Sequence, residues 1–295
     1  MEKLLILGAG KIGSALASVL RDANQPFAQW DVDPSLVPNQ VLLSELALGA
    51  ETVILCVPTT GIQNAAASLA PYLQPGALVL AVSKGIVSET TQCIDEFLAT
   101  VFPAQQIGLL YGPMLAEELL RGKIGAATVA TVGRAAYDRF APVFAESRLI
   151  LEYSDDVRGV AVLGALKNIY AVGLGIATGV ELGGNASGWL IGQALREIPE
   201  LLVALGGKPE TLLSSAGAAD LITTALSPAS KNHQFGVALA TGVEQGFAEG
   251  AAAYQPLVTR LHGNHDLPFF QAIGACLAEG ADSRAVFTQL FQQHV

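Results

Sequence analysis

The chain has 295 residues, 51% hydrophobic and 14% charged, which is enough apolar material for two domains and too little charge for a disordered chain. Lys and Arg number 16 against 26 Asp and Glu, a formal charge of −10. That charge excludes a nucleic-acid backbone held by general electrostatics, so any anionic ligand must be held by a few locally placed cations. Cys56, Cys93 and Cys276 are widely spaced, without a Cys-x-x-Cys pair, as suits a reducing compartment with neither disulfides nor a zinc site.

The charge-free stretch from Thr52 to Ser83 is broken by Pro58, Pro71 and Pro75, and the apolar region from Val160 to Val180 carries Lys167 and Asn168. Neither reads as a membrane span of about 20 residues. The opening Met1-Glu2-Lys3 has no net-positive leader, and Lys11 interrupts the apolar run behind it, so no signal peptide is expected. The expectation is a soluble, cytoplasmic protein.

Along the chain, residues 3–7 form a short apolar run ended by Gly8, the signature of a buried strand. Residues 12–21 follow at helical spacing, with Ile12, Leu16, Val19 and Leu20 on one face. Further apolar runs occupy 26–30, 52–57, 77–82, 107–111 and 126–132, with helical stretches between several of them. Continuous apolar strands separated by helices predict a parallel sheet covered on both faces. Beyond about residue 155 the strand-like runs give way to long Ala- and Leu-rich segments punctuated by Gly and Pro near 183–184, 206–209 and 227–228. The pattern predicts an α/β Rossmann-type domain over 1–155 and an all-helical domain over 156–295.

Gly8-Ala9-Gly10-Lys11-Ile12-Gly13 is a G-x-G-x-x-G hexamer, a weak signal alone. Here it follows a predicted strand and opens a predicted helix. The first glycine permits a tight turn, the second lets backbone approach a pyrophosphate, and the third lets helix and strand pack closely. The helix start offers unpaired N–H groups to phosphate, placing Gly8, Gly10, Lys11, Ile12 and Gly13 at a dinucleotide. Asp31 ends the next apolar run, where a carboxylate accepts the ribose hydroxyls and repels a 2′-phosphate, favouring NAD while leaving NADP open. The alternative is that Asp31 and Asp33 cap a loop before Pro34. Cys56-Val57-Pro58-Thr59 ends the third strand, where either Thr59 and Thr60 meet the cofactor or Pro58 merely terminates the strand.

Ser83-Lys84-Gly85, Gly112-Pro113-Met114-Leu115-Ala116-Glu117-Glu118, Ala165-Leu166-Lys167-Asn168, Gly183-Gly184-Asn185-Ala186, Ala219-Asp220-Leu221 and Ser230-Lys231-Asn232 follow in order. In this order and spacing the chain resembles the NAD(P)-dependent glycerol-3-phosphate dehydrogenases over nearly its whole length. The resemblance implies an active site between a Rossmann and a helical domain, and reversible hydride transfer between nicotinamide and C2 of dihydroxyacetone phosphate. It makes Lys167 the catalytic acid/base, with Lys84 and Asp220 beside it. It assigns substrate contacts to Lys84, Gly112, Met114, Lys167, Asp220, Ser230, Lys231 and Asn232. Besides the glycine loop, it assigns cofactor contacts to Asp31, Pro58, Lys84, Ala116, Lys231 and Glu249.

The chain departs from this pattern in places. Lys231 stands where the family usually has arginine, replacing a two-pronged phosphate clamp with a point charge. Met114 stands for a serine, Gly184 for an aspartate and Ala219 for a glycine. The segment after the second strand is short, and so is the loop before Glu249. Two alternatives therefore stay open: a dehydrogenase of another small hydroxy or keto acid, and a catalytically weak nucleotide-binding paralogue.

Lys167 itself lies in an apolar helical stretch, where a lysine either snorkels to the surface or is held in a cleft. A lysine taken out of water gives up its proton more readily, which suits proton transfer to a ketone oxygen. Asp220 either pairs with it or caps a helix. Ser230 is equally a helix cap or a ligand. His233, His262, His265 and His294 show no metal-ligand spacing, and no metal is expected. The apolar second half suggests a homodimer.

Overall fold

The computed structural model describes residues 3–87, 89–244 and 246–292. Met1 and Glu2, on which the leader reading partly rests, and His294 lie outside the described residues. The chain divides into two compact units, Met1–Ala161 and Val162–Val295, and the division falls inside one long helix.

The first unit is built on strands β1 (Leu4–Leu7), β2 (Ala28–Trp30), β3 (Thr52–Leu55) and β4 (Leu78–Ala81), a two-residue hairpin of β5 (Ile86–Val87) and β6 (Gln92–Cys93), then β7 (Ile107–Tyr111), β8 (Gly125–Thr131) and β9 (Leu149–Ser154). Helices α1 (Lys11–Asp22), α2 (Leu43–Gly49), α3 (Ile62–Leu69), α4 (Ile94–Ala99), α5 (Ala116–Leu120) and α6 (Arg134–Phe140) lie between them. The main sheet has the order β2-β1-β3-β4-β7-β8-β9. The five strands from β2 to β7 are parallel, with Leu5 opposite Ala28 on one side and Val53 on the other. Every residue of β1 and β4 is buried, which explains their unbroken apolar runs. Ile6, Ile54 and Leu80 join Leu16 and Leu20 of α1 in one core.

The sheet is not wholly parallel. β8 runs antiparallel to β7, with Leu109 opposite Ala130, and β9 returns parallel to β8. Apolar runs alone carry no strand direction. β9 also escaped the sequence reading, because it sits at the sheet edge with Ile150 63% exposed and reads as a mixed rather than an apolar run.

The second unit is helical, as its composition predicts. It contains the remainder of α7 (Val157–Gly179), then α8 (Gly183–Ala204), α9 (Asp220–Leu226), α10 (Lys231–Thr241), α11 (Glu249–Val258), α12 (Pro268–Leu277) and α13 (Ser283–Gln292). Among the described residues, α7 is the one helix long and apolar enough to cross a membrane, and its most apolar 18-residue stretch is buried inside the protein. The helices approach it at glycines. A Cβ on Gly236 of α10 would lie 2.1 Å from the Val172 carbonyl oxygen, and one on Gly250 of α11 would lie 2.2 Å from that of Asn168. An aromatic cluster of Tyr170, Phe269, Phe270 and Phe287 packs beside it. Glu197 reaches it, accepting from the Tyr170 hydroxyl at 2.7 Å and from the backbone N–H groups of Phe269 and Phe270 at the start of α12.

Arg158, on the first turn of α7, bonds Asp95 and Glu96 at the start of α4 at 3.1 and 3.2 Å. Desolvation outweighs the arginine and pushes the Asp95 carboxyl up from 3.8 to about 6. The folded protein therefore keeps a proton that the unfolded chain loses above its ordinary value. This stabilisation is complete below pH 3.8 and is lost as pH rises through 6. Chemical denaturation of Asp95→Asn and the parent between pH 4 and 7 should show the parent losing ground by on the order of 2 kcal/mol as pH rises.

Candidate active site

In the first unit the chain order reverses between β1 and β3, the crevice where open α/β sheets take their ligands. A cleft of about 360 Å³ lies at the carboxyl ends of β1, β2 and β3, lined by Gly8, Gly10, Asp31, Val32, Leu36 and Pro58 among others. Each fingerprint glycine has its own reason. Gly8 has φ +113°, and a Cβ there would lie 2.5 Å from the Cys56 carbonyl oxygen. A Cβ on Gly13 would lie 2.0 Å from the Gly8 oxygen, so α1 closes on the turn only with glycine there. A Cβ on Gly10 would meet nothing within 4 Å, which leaves open space beside the backbone. Gly10 caps α1 without a side-chain hydrogen bond, so the leading N–H groups are available to an anion. These features fit a dinucleotide pyrophosphate.

Asp31 lines the cleft and also caps the turn that follows it. Its Oδ2 accepts from the Ala9 N–H at 2.5 Å and its Oδ1 from the Asp33 N–H at 2.9 Å, while the Gln40 amide brackets its backbone N–H and C=O at 2.9 and 2.7 Å. Asp33 makes the next turn, and hydrogen bonds from the Ser35 hydroxyl and N–H lower its pKa. Lys11, the first residue of α1, is exposed and lies 3.6 Å from Glu117 of α5. Ala116 opens α5, half-buried against the core.

Lys84 follows β4, in a turn bound on three sides. The Ser83 hydroxyl donates to the Val57 carbonyl at 2.5 Å, the Thr59 hydroxyl donates to the Lys84 carbonyl at 3.2 Å, and the Tyr111 hydroxyl donates to the Ser83 carbonyl. The Lys84 Nζ donates to the Gly112 carbonyl at 3.2 Å. Met114, expected at the substrate, is 9% exposed and belongs to the sheet's hydrophobic core. Its side chain serves packing, which accounts for an apolar residue there.

In the second unit Lys167 is held, not snorkelling. It is 9% exposed, and its Nζ donates to Asp220 Oδ1 at 3.1 Å and to Thr224 Oγ1 at 2.9 Å. Asp220 is 3% exposed and opens α9 after a wide, kinked turn at Ser215–Ala219. Asp220 and Thr224 stand four apart, hence on one face of α9. Sequence reading missed Thr224, although that spacing from Asp220 was the available signal. The next residue of α7, Asn168, donates to Glu249 Oε2 at 3.3 Å, and Asn232 Oδ1 accepts from the Gly250 N–H at 2.9 Å. Lys167, Asp220, Asn168, Asn232 and Glu249 thus share one neighbourhood on α7, α9, α10 and α11. Ser230 caps α10 through the His233 N–H at 3.4 Å, and Lys231 is exposed. Burial lowers the pKa of His233.

Residues 34–136 match the family profile for the NAD-dependent glycerol-3-phosphate dehydrogenase N-terminus, and residues 156–288 match that for its C-terminus. Over its full length the chain is 31% identical to the glycerol-3-phosphate dehydrogenase (NAD(P)+) of Agrobacterium fabrum, covering 98% of that protein. It is 32% identical to the enzyme of the same name from Azorhizobium caulinodans, with 94% of this chain and 92% of that one matched. The chain belongs to the NAD-dependent glycerol-3-phosphate dehydrogenase family. The crystal structure of the Coxiella burnetii glycerol-3-phosphate dehydrogenase superposes with a TM-score of 0.85 at 25% identity, covering 98% of each chain. The protein is accordingly an NAD(P)-dependent oxidoreductase with a Rossmann-type unit and a helical unit.

Asp220→Asn removes the only carboxylate paired with Lys167 among the described residues. Breaking one side of a buried pair should cost about 3–5 kcal/mol in urea unfolding, and Lys167→Met in the same chain should recover part of that loss.

Proposed function

We propose that this chain interconverts dihydroxyacetone phosphate and glycerol 3-phosphate, with Lys167 as the acid/base. The observation that carries the proposal is the buried Lys167 ammonium, held by Asp220 and Thr224 inside an apolar helix packing. Reduction of a ketone needs a hydride on carbon and a proton on oxygen. Bound nicotinamide supplies the hydride. The Lys167 ammonium has three N–H donors, two of which bond Asp220 and Thr224. The third polarises the substrate carbonyl, and the ammonium gives up its proton as charge develops on that oxygen. In the reverse direction the neutral amine takes the hydroxyl proton. Asp220 stabilises the ammonium against its apolar surroundings and fixes its direction.

The substrate phosphate needs cations in a protein of net charge −10. Lys84 and Lys231 are our candidates, with Ser230 and Asn232 beside the latter. Exposed Lys231 acts as a point charge, so phosphate is held less rigidly than by an arginine fork. For the cofactor we propose NADH in preference to NADPH. Asp31 and Asp33 follow β2, and no Lys or Arg occurs from Asp22 to Ser83. A 2′-phosphate there would meet two carboxylates and no cation from that segment.

We also propose a cytoplasmic homodimer. The three described cysteines are free and buried, as suits a reducing compartment. Val203 and Leu213 of the helical unit are 60% and 84% exposed, apolar surface that a second copy would cover. Light scattering at micromolar concentration should give twice the chain mass of 30.5 kDa; a single-chain mass rejects the dimer.

Initial rates of NADH oxidation with saturating dihydroxyacetone phosphate test the chemistry. Lys167→Ala should lower kcat roughly 10²–10⁴-fold, the usual worth of a general acid. Undiminished turnover would remove Lys167 from that role. NADPH run in parallel should give kcat/KM about tenfold or more below NADH, and Asp31→Ser should narrow the ratio.

A further inference from the structure

We propose that Tyr111 is a positioning residue for Lys84; this rests on the reading of Lys84 as a substrate-binding cation. Tyr111 ends β7, next to β4 in the sheet, with Ala81 opposite Leu109. The parallel pairing therefore brings the residue that ends β7 beside the Ser83-Lys84 turn that follows β4. Tyr111 is fully buried, and a buried phenol needs a partner for its hydroxyl. It finds one in the Ser83 carbonyl, one residue before Lys84.

The ring does the second part of the work. The Lys84 Nζ lies over the Tyr111 ring, 5.3 Å from its centroid, and donates to the carbonyl of the adjoining Gly112 at 3.2 Å. A ring face attracts an ammonium through its quadrupole, more strongly where water is partly excluded, and Lys84 is half-buried. The ring and the carbonyl together fix the direction of the ammonium. Leucine or phenylalanine would fill this core position as well by volume class; tyrosine alone combines a ring face for the ammonium with a donor for the turn.

The test is a double-mutant cycle on the full-length enzyme. Tyr111→Leu removes ring and hydroxyl, Tyr111→Phe removes the hydroxyl alone, and each is made with Lys84 intact and with Lys84→Ala. The readouts are KM for dihydroxyacetone phosphate, kcat with NADH, and thermal melting. We expect Lys84→Ala and Tyr111→Leu each to raise that KM about tenfold, Tyr111→Phe to raise it about threefold, and kcat to change less. With Lys84 already alanine, either Tyr111 change should move KM by less than about twofold. An undiminished factor in the Lys84→Ala background would show a purely structural tyrosine and overturn the proposal, leaving the Lys84 assignment standing. An unchanged KM in Lys84→Ala would instead overturn that assignment and the Tyr111 role with it. Should Tyr111→Leu not fold, the Tyr111→Phe arm decides through the hydroxyl.

Discussion

A charged nitrogen inside an apolar helix is the constraint on which the helical unit depends. Lys167 lies on α7 among Val162, Leu163, Leu166 and Ile169, all buried. An ammonium there is tolerable only if its donors are satisfied and its charge is met. Asp220 and Thr224 do both from one face of α9. The neighbouring elements are pulled to the same place by a different force, close backbone packing at Gly236 and Gly250, which brings Asn232 and Glu249 against the turn of α7 that carries Asn168. Lys167 and its polar surroundings are thus fixed by one ion pair and two glycine contacts, all on helices.

The Rossmann-type unit solves a different problem, that of binding phosphate without cations in the cleft lining. It uses backbone. The Gly8 and Gly13 contacts bring α1 hard against the end of β1, so that the leading N–H groups of the helix converge on the open space at Gly10. The same tight turn sets the Ala9 N–H on Asp31, at 2.5 Å. One stretch of backbone therefore serves the phosphate and aligns the carboxylate we assign to the ribose, and the ring of bonds through Gln40 keeps that carboxylate from swinging away.

How much of this was legible in the residues follows from what residues can encode locally. Buried parallel strands are unbroken apolar runs, so β1, β3, β4 and β7 stood out, and so did the change to helix-only patterning after β9. Direction and edges are not local properties. The reversal at β8 and the half-exposed edge strand β9 depend on neighbours that a single segment does not name. The pairing of Lys167 with Asp220 joins residues 53 apart in sequence, and it was anticipated as one of two readings because each sat oddly in apolar company and the family resemblance set them together. Thr224 and Tyr111 looked ordinary: a threonine in a helix and a tyrosine at a strand end carry no sign of the amines above them. Met114 sits at a motif position that suggested substrate, and its apolar side chain packs in the core.

The three lysines assigned to chemistry differ in setting, and the differences match the work each is given. Lys167 is buried and ion-paired, which suits a group that must hold one direction and exchange a proton. Lys84 is half-buried over a ring and beside a carbonyl, which suits a cation that must be oriented. Lys231 is exposed at the first turn of α10, a setting that suits the role we propose for it, attracting an anion from water. A protein of net charge −10 repels anionic substrates at long range, but that field is screened within about 10 Å at ordinary ionic strength. Inside that distance the local arrangement decides. Losing the arginine fork at position 231 removes rigidity from the most exposed of the three, to which we assign attraction more than direction. The substitution is therefore placed where a point charge is the smallest loss.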